Sequence, residues 1–223
     1  MSFGMDDVCH DTKTAIEDAL KENVILLAAA GNGGNCKGIP YPASEKDVFE
    51  IFASKPSGYA ADFSAPSRPV SGSYSFFGCK VVSIWPSSIL NTAKNGRSSL
   101  FHYDDKGNHK DLQNGCNSWT VMSGTSFASP LVAALVAVLY QFHEENRSDI
   151  LRDLHPNTNF KSPRAVLAIF DRMSKVSDNA WYNFLEPTWG KDEFFRFIPG
   201  YHNEGQRKFF AGKLRDALKY GKV

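Results

Sequence analysis

The sequence predicts an α/β protein, with three α/β/α layers built around a mostly parallel sheet. Three observations carry this expectation. Residues 24–30 (Val-Ile-Leu-Leu-Ala-Ala-Ala) are continuously apolar, the pattern of a strand buried on both faces. A helical pattern stands before that run and a Gly/Asn-rich stretch at 31–35 stops it, so helix, buried strand and glycine loop make half of an α/β unit. Residues 131–140 are apolar on every helical face, which places their helix inside the molecule.

The elements follow in order. Over residues 11–22, Ala15, Ile16, Ala19 and Leu20 share one helical face, and Lys13, Glu17, Asp18, Lys21 and Glu22 lie elsewhere. Thr14 with Glu17 fits a capping box, Asp11 or Thr12 would cap equally well, and Asn23 is a stop. Residues 24–30 are expected as a central parallel strand. Residues 47–53 and 80–85, rich in Val, Ile and Phe, are two more strand candidates. The chain between them reads as loop, punctuated by Pro66, Pro69, Gly72 and Gly78. Asp104-Asp105-Lys106-Gly107, flanked by Leu100-Phe101-His102-Tyr103, resembles a hairpin tip. Residues 118–122 are short and partly β-branched. A buried helix is expected from Thr125 to about Phe142, with Pro130 near its start, where a missing N–H does least harm. Ser162 and Pro163 read as a cap and a first helical residue, followed by an apolar face of Ala165, Val166, Ile169, Phe170 and Met173. Residues 207–220 form a last amphipathic helix. The aromatic-rich stretch 181–201 carries no assignable element.

Composition bounds the function. The 223 residues allow one domain or one and a fraction. With 42% hydrophobic and 22% charged residues, the chain can offset its conformational entropy, so disorder is excluded as the dominant state. Lys plus Arg number 25 and Asp plus Glu 24, leaving +1. That balance gives no field toward nucleic acid or an anionic membrane, and neither is expected as a partner. No run approaches the roughly 20 apolar residues of a bilayer span. The first residues lack the basic start and apolar stretch of a secretory signal. Cys9, Cys36, Cys79 and Cys116 are too dispersed for zinc-type pairing and read as separate thiols. No cofactor is expected.

Two features carry chemistry. Ser126 follows Gly124 and Thr125 at the mouth of the buried helix, with Ala128 and Ser129 after it. A helix N-terminus supplies unpaired N–H groups and partial positive charge, which suit an alkoxide or a tetrahedral oxyanion. The same local pattern also fits an ordinary Ser/Thr cap, and caps are far commoner than nucleophiles. Asn32 stands just beyond the buried strand. It is either a turn former or an amide donor aimed at a developing oxyanion.

Together, Ala28-Ala29-Ala30-Gly31-Asn32 and Ser123-Gly124-Thr125-Ser126-Phe127-Ala128-Ser129-Pro130 resemble two signatures of the subtilisin-like serine proteases. Ser2-Phe3-Gly4 resembles the family's substrate-binding strand. Tyr41-Pro42-Ala43, the stretch from Ala61 to Pro66, and His155-Pro156-Asn157 resemble further segments. The resemblance covers about residues 1–176, leaving 177–223 as an unassigned C-terminal extension. It implies that Ser126 attacks the scissile carbonyl and that Asn32 and the Ser126 N–H hold the oxyanion. It further implies that Ser2, Phe3 and Gly4 pair with a peptide or protein substrate, and that Ala29, Ala30 and Gly31 wall the pocket for the residue before the cut.

The family's triad also needs an Asp and a His, in an Asp-x-Gly strand end and a His-Gly-Thr helix start. None of His10, His102, His109, His143, His155 and His202 precedes a glycine, and Asp105-Lys106-Gly107 sits in a polar turn. The chain is therefore expected to be the C-terminal portion of such a domain, N-terminally incomplete, and inactive or severely impaired alone. Two alternatives stand beside this. One is a non-catalytic peptide-binding pseudoprotease. The other is an α/β-hydrolase with the order Ser, Asp, His, against which Ala128 replaces the final glycine of that motif.

Overall fold

The structure, a computed structural model, describes residues 1–34, 37–64, 70–85, 100–103, 109–111, 118–155, 158–176, 183–186 and 204–220. The first element is α1 (His10–Lys21). It begins one residue earlier than expected, with Cys9 at the cap position. No side chain there caps a backbone N–H, and Cys9 Sγ instead meets Thr12 Oγ1 at 2.8 Å. Asn23 ends the helix as expected. It adopts φ 57°, its N–H donates to Leu20 O, and the N–H of Val24 donates to Ala19 O, which satisfies the last carbonyls of the helix.

The main sheet contains β1 (Leu27–Ala29), β2 (Phe49–Ser54) and β3 (Ser73–Phe77), all parallel. Beyond β3 come β9 (Asn183–Leu185), parallel, and β8 (Ser174–Val176), antiparallel. The order is β1-β2-β3-β9-β8. The strand read at 24–30 is thus an edge, not the centre, and its first residue, Val24, is 46% exposed. On its other side, among the described residues, Met1 lies alongside: the Met1 ammonium donates to Leu27 O, and Ala29 N–H donates to Met1 O. β3 falls in the stretch read as loop. A second, antiparallel sheet contains β4 (Val81–Trp85), β5 (Leu100–Tyr103), β6 (His109–Asp111) and β7 (Ser118–Met122) in the order β4-β7-β5-β6. β5 and β6 pair as the expected hairpin; its tip, like Pro66, Pro69, Cys36, Cys116 and His202, lies outside the described residues.

Side-chain alternation on β1 separates the layers. Leu27 faces the main core with α2 (Thr125–Glu145), while Ala28 faces Ile16 of α1. Helices therefore cover both faces, giving the three layers. On the α2 side sit α3 (Arg147–Ile150), α4 (Pro163–Met173) and α5 (Glu204–Tyr220). Ser162 accepts from Ala165 N–H at 3.1 Å as the cap of α4, with Pro163 next. All five expected face residues of α4 are buried. Phe170 packs edge-on against Phe49 and Tyr74. The Tyr74 hydroxyl donates to Asp171 at 2.5 Å, and burial beside that carboxylate pushes its pKa up.

Although no unbroken apolar run in the sequence reaches the length of a bilayer span, α2 as a whole is long and apolar enough to cross a membrane, with an 18-residue window of mean hydropathy 1.6. Here Val132, Leu135, Val136 and Leu139 are buried in the main core instead. The helix is nevertheless not covered all round, since Leu131 and Val138 are 37% and 36% exposed. Residues beyond 176 share the same core: Leu185 of β9 and Phe210, Ala211, Leu214, Ala217 and Leu218 of α5 belong to it.

Leu214→Ala empties a fully buried site at the α5 contact and should cost about 2–5 kcal/mol in urea denaturation. The loss should appear in one cooperative transition rather than in a separate C-terminal step. A second prediction concerns His143, which is buried near the end of α2 and stacked on Phe160 at 4.1 Å. Desolvation lowers its pKa below the ordinary 6.5; Glu144 opposes the shift, and Arg147 and Lys161 add to it. The unfolded chain therefore binds the proton first. The stabilisation is fully present above the unfolded pKa and is lost as pH falls below it. Between about pH 7.5 and about pH 5.5 the wild type should lose stability that His143→Phe retains, measured by denaturant titration at each pH.

Candidate active site

The site forms where β1 ends and α2 begins. After β1, Ala30 N–H donates to Ile51 O at 2.9 Å, which holds the chain on the sheet for one more residue. Gly31 then turns with φ 96°, a conformation that residues with a Cβ rarely adopt, and Asn32 follows at the surface. From the other side β7 runs into Ser123 and Gly124. Gly124 N–H donates to Gly78 O at 2.8 Å, and Lys80 N–H donates to Ser123 Oγ at 2.9 Å. Gly78 permits this close approach: a Cβ there would lie 2.6 Å from Ala53 Cβ and 2.9 Å from Gly124 O.

Thr125 joins the two halves. Its N–H donates to Asn32 Oδ1 at 2.8 Å, and its hydroxyl donates to the same oxygen at 3.1 Å. The Thr125 Oγ1 also accepts from Gly31 N–H at 3.2 Å. The residue is 1% exposed, so these bonds act away from water, where they are strongest. With Oδ1 committed, the Asn32 amide nitrogen lies over Gly124, 3.2 Å from where a Cβ would stand.

Ser126 is the second residue of α2 and is partly exposed. Phe127 N–H and Ala128 N–H both turn back to Gly124 O. The N–H of Ser126 has no partner among the described residues, as befits a first-turn donor. Its hydroxyl donates to Ser2 O at 2.7 Å. Among the described side chains, the partner of Ser126 Oγ is thus a backbone carbonyl and not a histidine. His143 lies near the far end of the same helix, and His10 opens α1 on the other side of the sheet.

Ser2, Phe3 and Gly4 are exposed, and Phe3 is 52% exposed. They stretch between Met1, which lies on β1, and Met5, which forms an antiparallel bridge with Tyr41. Phe3 and Gly4 have no backbone hydrogen bonds among the described residues. Ala29 and Ala30 are closed to solvent at 3% and 2%, whereas Gly31 is half-buried. The structure therefore gathers Ser2, Gly31, Asn32 and Ser126 around the start of α2. Of the three expected wall residues, only Gly31 opens outward. Sequence reasoning passed over Thr125, although a hydroxyl at the first turn of an otherwise apolar helix is itself a signal of a polar role.

Thr125→Val keeps the shape but leaves Gly31 N–H without its acceptor. It should cost about 1–3 kcal/mol in urea denaturation, while Thr125→Ser should cost less than half of that.

A family model described as the subtilase family, Peptidase_S8, matches residues 1–179. No curated protein matches the sequence. Among solved structures, the chain is similar to the prenylagaramide maturation protease PagA, with a TM-score of 0.53 and 17% identity, over 98% of this chain and 60% of that one. It is also similar to a mutant of the protease domain of PatA, with a TM-score of 0.50 and 18% identity, over 82% of this chain and 52% of that one. The chain spans less than two thirds of either protein, and at these identities the likeness is one of fold. The family match covers most of the chain, includes both the Asn32 loop and the Ser126 helix, and ends close to where the motif resemblance does. The chain belongs to the subtilase family.

Proposed function

We propose that residues 1–223 carry the serine side of a subtilase active site that hydrolyses peptide bonds. Membership of the family implies a peptide or protein substrate. Ser126 Oγ attacks the scissile carbonyl carbon while a base takes its proton. The resulting oxyanion sits between the Asn32 amide and the Ser126 N–H. Collapse expels the amine, which takes up the proton, and water then cleaves the acyl-serine by the reverse sequence of transfers. Ser2, Phe3 and Gly4 offer an extended edge to the substrate backbone.

The observation that best supports this reading is the Thr125 clamp on Asn32 Oδ1. An amide held by its oxygen keeps its nitrogen available as a donor, near the start of α2, where the Ser126 N–H has no partner among the described residues. A preorganised donor of this kind contributes ~10²–10³ in turnover.

The base is the missing component. No His-Gly-Thr or Asp-x-Gly motif of the required context occurs in the sequence, and Ser126 donates to Ser2 O. Loss of the histidine from such a triad costs on the order of 10⁶ in turnover. We infer that the acid and the base are supplied from outside residues 1–223. The same Ser126–Ser2 bond favours a second reading, a peptide-binding protein that keeps the groove without the chemistry.

The test has two arms. Residues 1–223 and a form extended upstream are assayed with an extended peptide substrate, each beside its Ser126→Ala variant. Cleavage by the extended form only is the expected result. Ser126-dependent cleavage by the short form would mean that a base lies within this sequence. Cleavage by neither form favours the binding protein. In the active form, Asn32→Ala should lower kcat by ~10²–10³ and leave KM within about threefold.

A further inference from the structure

The last helix, α5, lies outside the family match and takes no part in the candidate active site, and its two long faces differ in chemistry. Phe210, Ala211, Leu214, Ala217 and Leu218 enter the main core. The opposite face is turned to solvent, with Phe209 45% exposed and Tyr220 67% exposed. Residues 209, 213, 216 and 220 follow one another at helical spacing, so they form one stripe, about 16 Å from end to end. Lys213 Nζ stands 5.3 Å from the centre of the Phe209 ring, and Lys219 Nζ stands 5.7 Å from that of Tyr220.

The helix is also basic. It carries five Lys and Arg side chains against two carboxylates, although the whole chain is balanced at +1. Glu204 neutralises Lys208 at 2.6 Å, and Arg215 donates to Asp149 O. Among the described residues Arg207, Lys213 and Lys219 have no carboxylate partner. Asp216, on the same stripe, offsets one of these charges. Exposed rings beside cations suit a lipid–water boundary, where the ring enters the headgroup layer and the ammonium meets anionic lipid. A folded protein partner fits less well. The outer strip is about 25 Å long and about 10 Å wide, well under the roughly 800 Å² per side of a specific protein interface. A fluid bilayer needs no matching shape.

We propose that the outer face of α5 docks this chain on an anionic membrane surface, with Phe209 and Tyr220 in the headgroup layer and Lys213 and Lys219 against acidic lipids. The balance of charge over the whole sequence conceals this local bias. Phe210 of the same helix packs on Phe142, which lies about 24 Å further along α2 than Ser126. Most of the length of α2 thus separates the docking face from the serine. The inference is independent of the protease reading and adds a place of attachment for whatever that site does.

The experiment sediments the full chain with vesicles of phosphatidylcholine alone, and with vesicles that also hold about 30% phosphatidylserine, at about 0.1 M salt. Partition onto the phosphatidylserine vesicles should exceed that onto the neutral ones by at least about tenfold, and should fall away at about 0.5 M salt, where the surface field is screened. Lys213→Gln combined with Lys219→Gln should weaken it by about fivefold per charge removed. Phe209→Ser combined with Tyr220→Ser should weaken it without altering its salt dependence. All four side chains face solvent, so the urea midpoint should stay close to that of the wild type, and the wild-type comparison of the two vesicles stands even if a variant fails to fold. Equal partition onto both vesicles, partition onto neither, or phosphatidylserine binding unchanged by both folded double variants would overturn the proposal. Binding to polyglutamate without binding to vesicles would also overturn it, in favour of an acidic protein partner.

Discussion

Everything at the site depends on one buried hydroxyl. Thr125 receives the backbone of Gly31 and grips the side chain of Asn32, so the end of an edge strand and the start of the longest helix are held at hydrogen-bond distance. The two elements are separated by more than ninety residues, by two further strands of the main sheet and by the whole antiparallel sheet. Packing alone would tolerate small slides between a helix and a strand. A side chain with directional bonds to both partners does not, since a displacement well under 1 Å already weakens them. Gly78 serves the same end from below, by letting the turn after β3 touch the backbone at Gly124. The geometry around Asn32 and Ser126 is thus a property of the joint rather than of either motif alone.

The two chemical motifs were legible because their residue types have few other uses in that order. The architecture was legible wherever one signal dominated: the unbroken apolar runs, the Ser162-Pro163 start of α4, and the stop at Asn23. Elsewhere tertiary context decided the outcome. In β3, Ser73 and Ser75 alternate with Tyr74 and Phe76, and the serines are 1% exposed. A buried serine face looks like a turn to any reading that counts apolar residues. The short β1 is the reverse case. Its apolar run extends to Val24, but the sheet offers a partner on one side only, and ladder pairing begins at Leu27.

The segment after residue 176 shows how a family boundary and a core boundary can differ. The family match ends at residue 179, yet β9 pairs with β3 inside the main sheet and Phe210 of α5 packs edge-on against Phe142 of α2. A strand inserted between β3 and β8 cannot be removed without exposing two ladders. The C-terminal residues are therefore part of the scaffold that holds α2, whatever else they do. On the opposite flank, α2 exposes Leu131 and Val138, and Val24 stands open at the sheet edge.

The bond from Ser126 to Ser2 fixes the direction of the Ser126 hydroxyl. A backbone carbonyl accepts a hydrogen bond but cannot take up the proton, so the hydroxyl is oriented without being activated. Oxyanion stabilisation has no such dependence: in the proposed role, the amide of Asn32 and the N–H of Ser126 would polarise a carbonyl whether or not a base is present. The two contributions are physically separable. The hydrogen bond to Ser2 O contributes only about 1 kcal/mol net, small beside the several kcal/mol that a general base removes from the barrier. A base arriving at Ser126 would therefore displace the carbonyl with little opposition. The proposed catalytic and binding readings therefore differ in what approaches Ser126, not in how Ser126 is held.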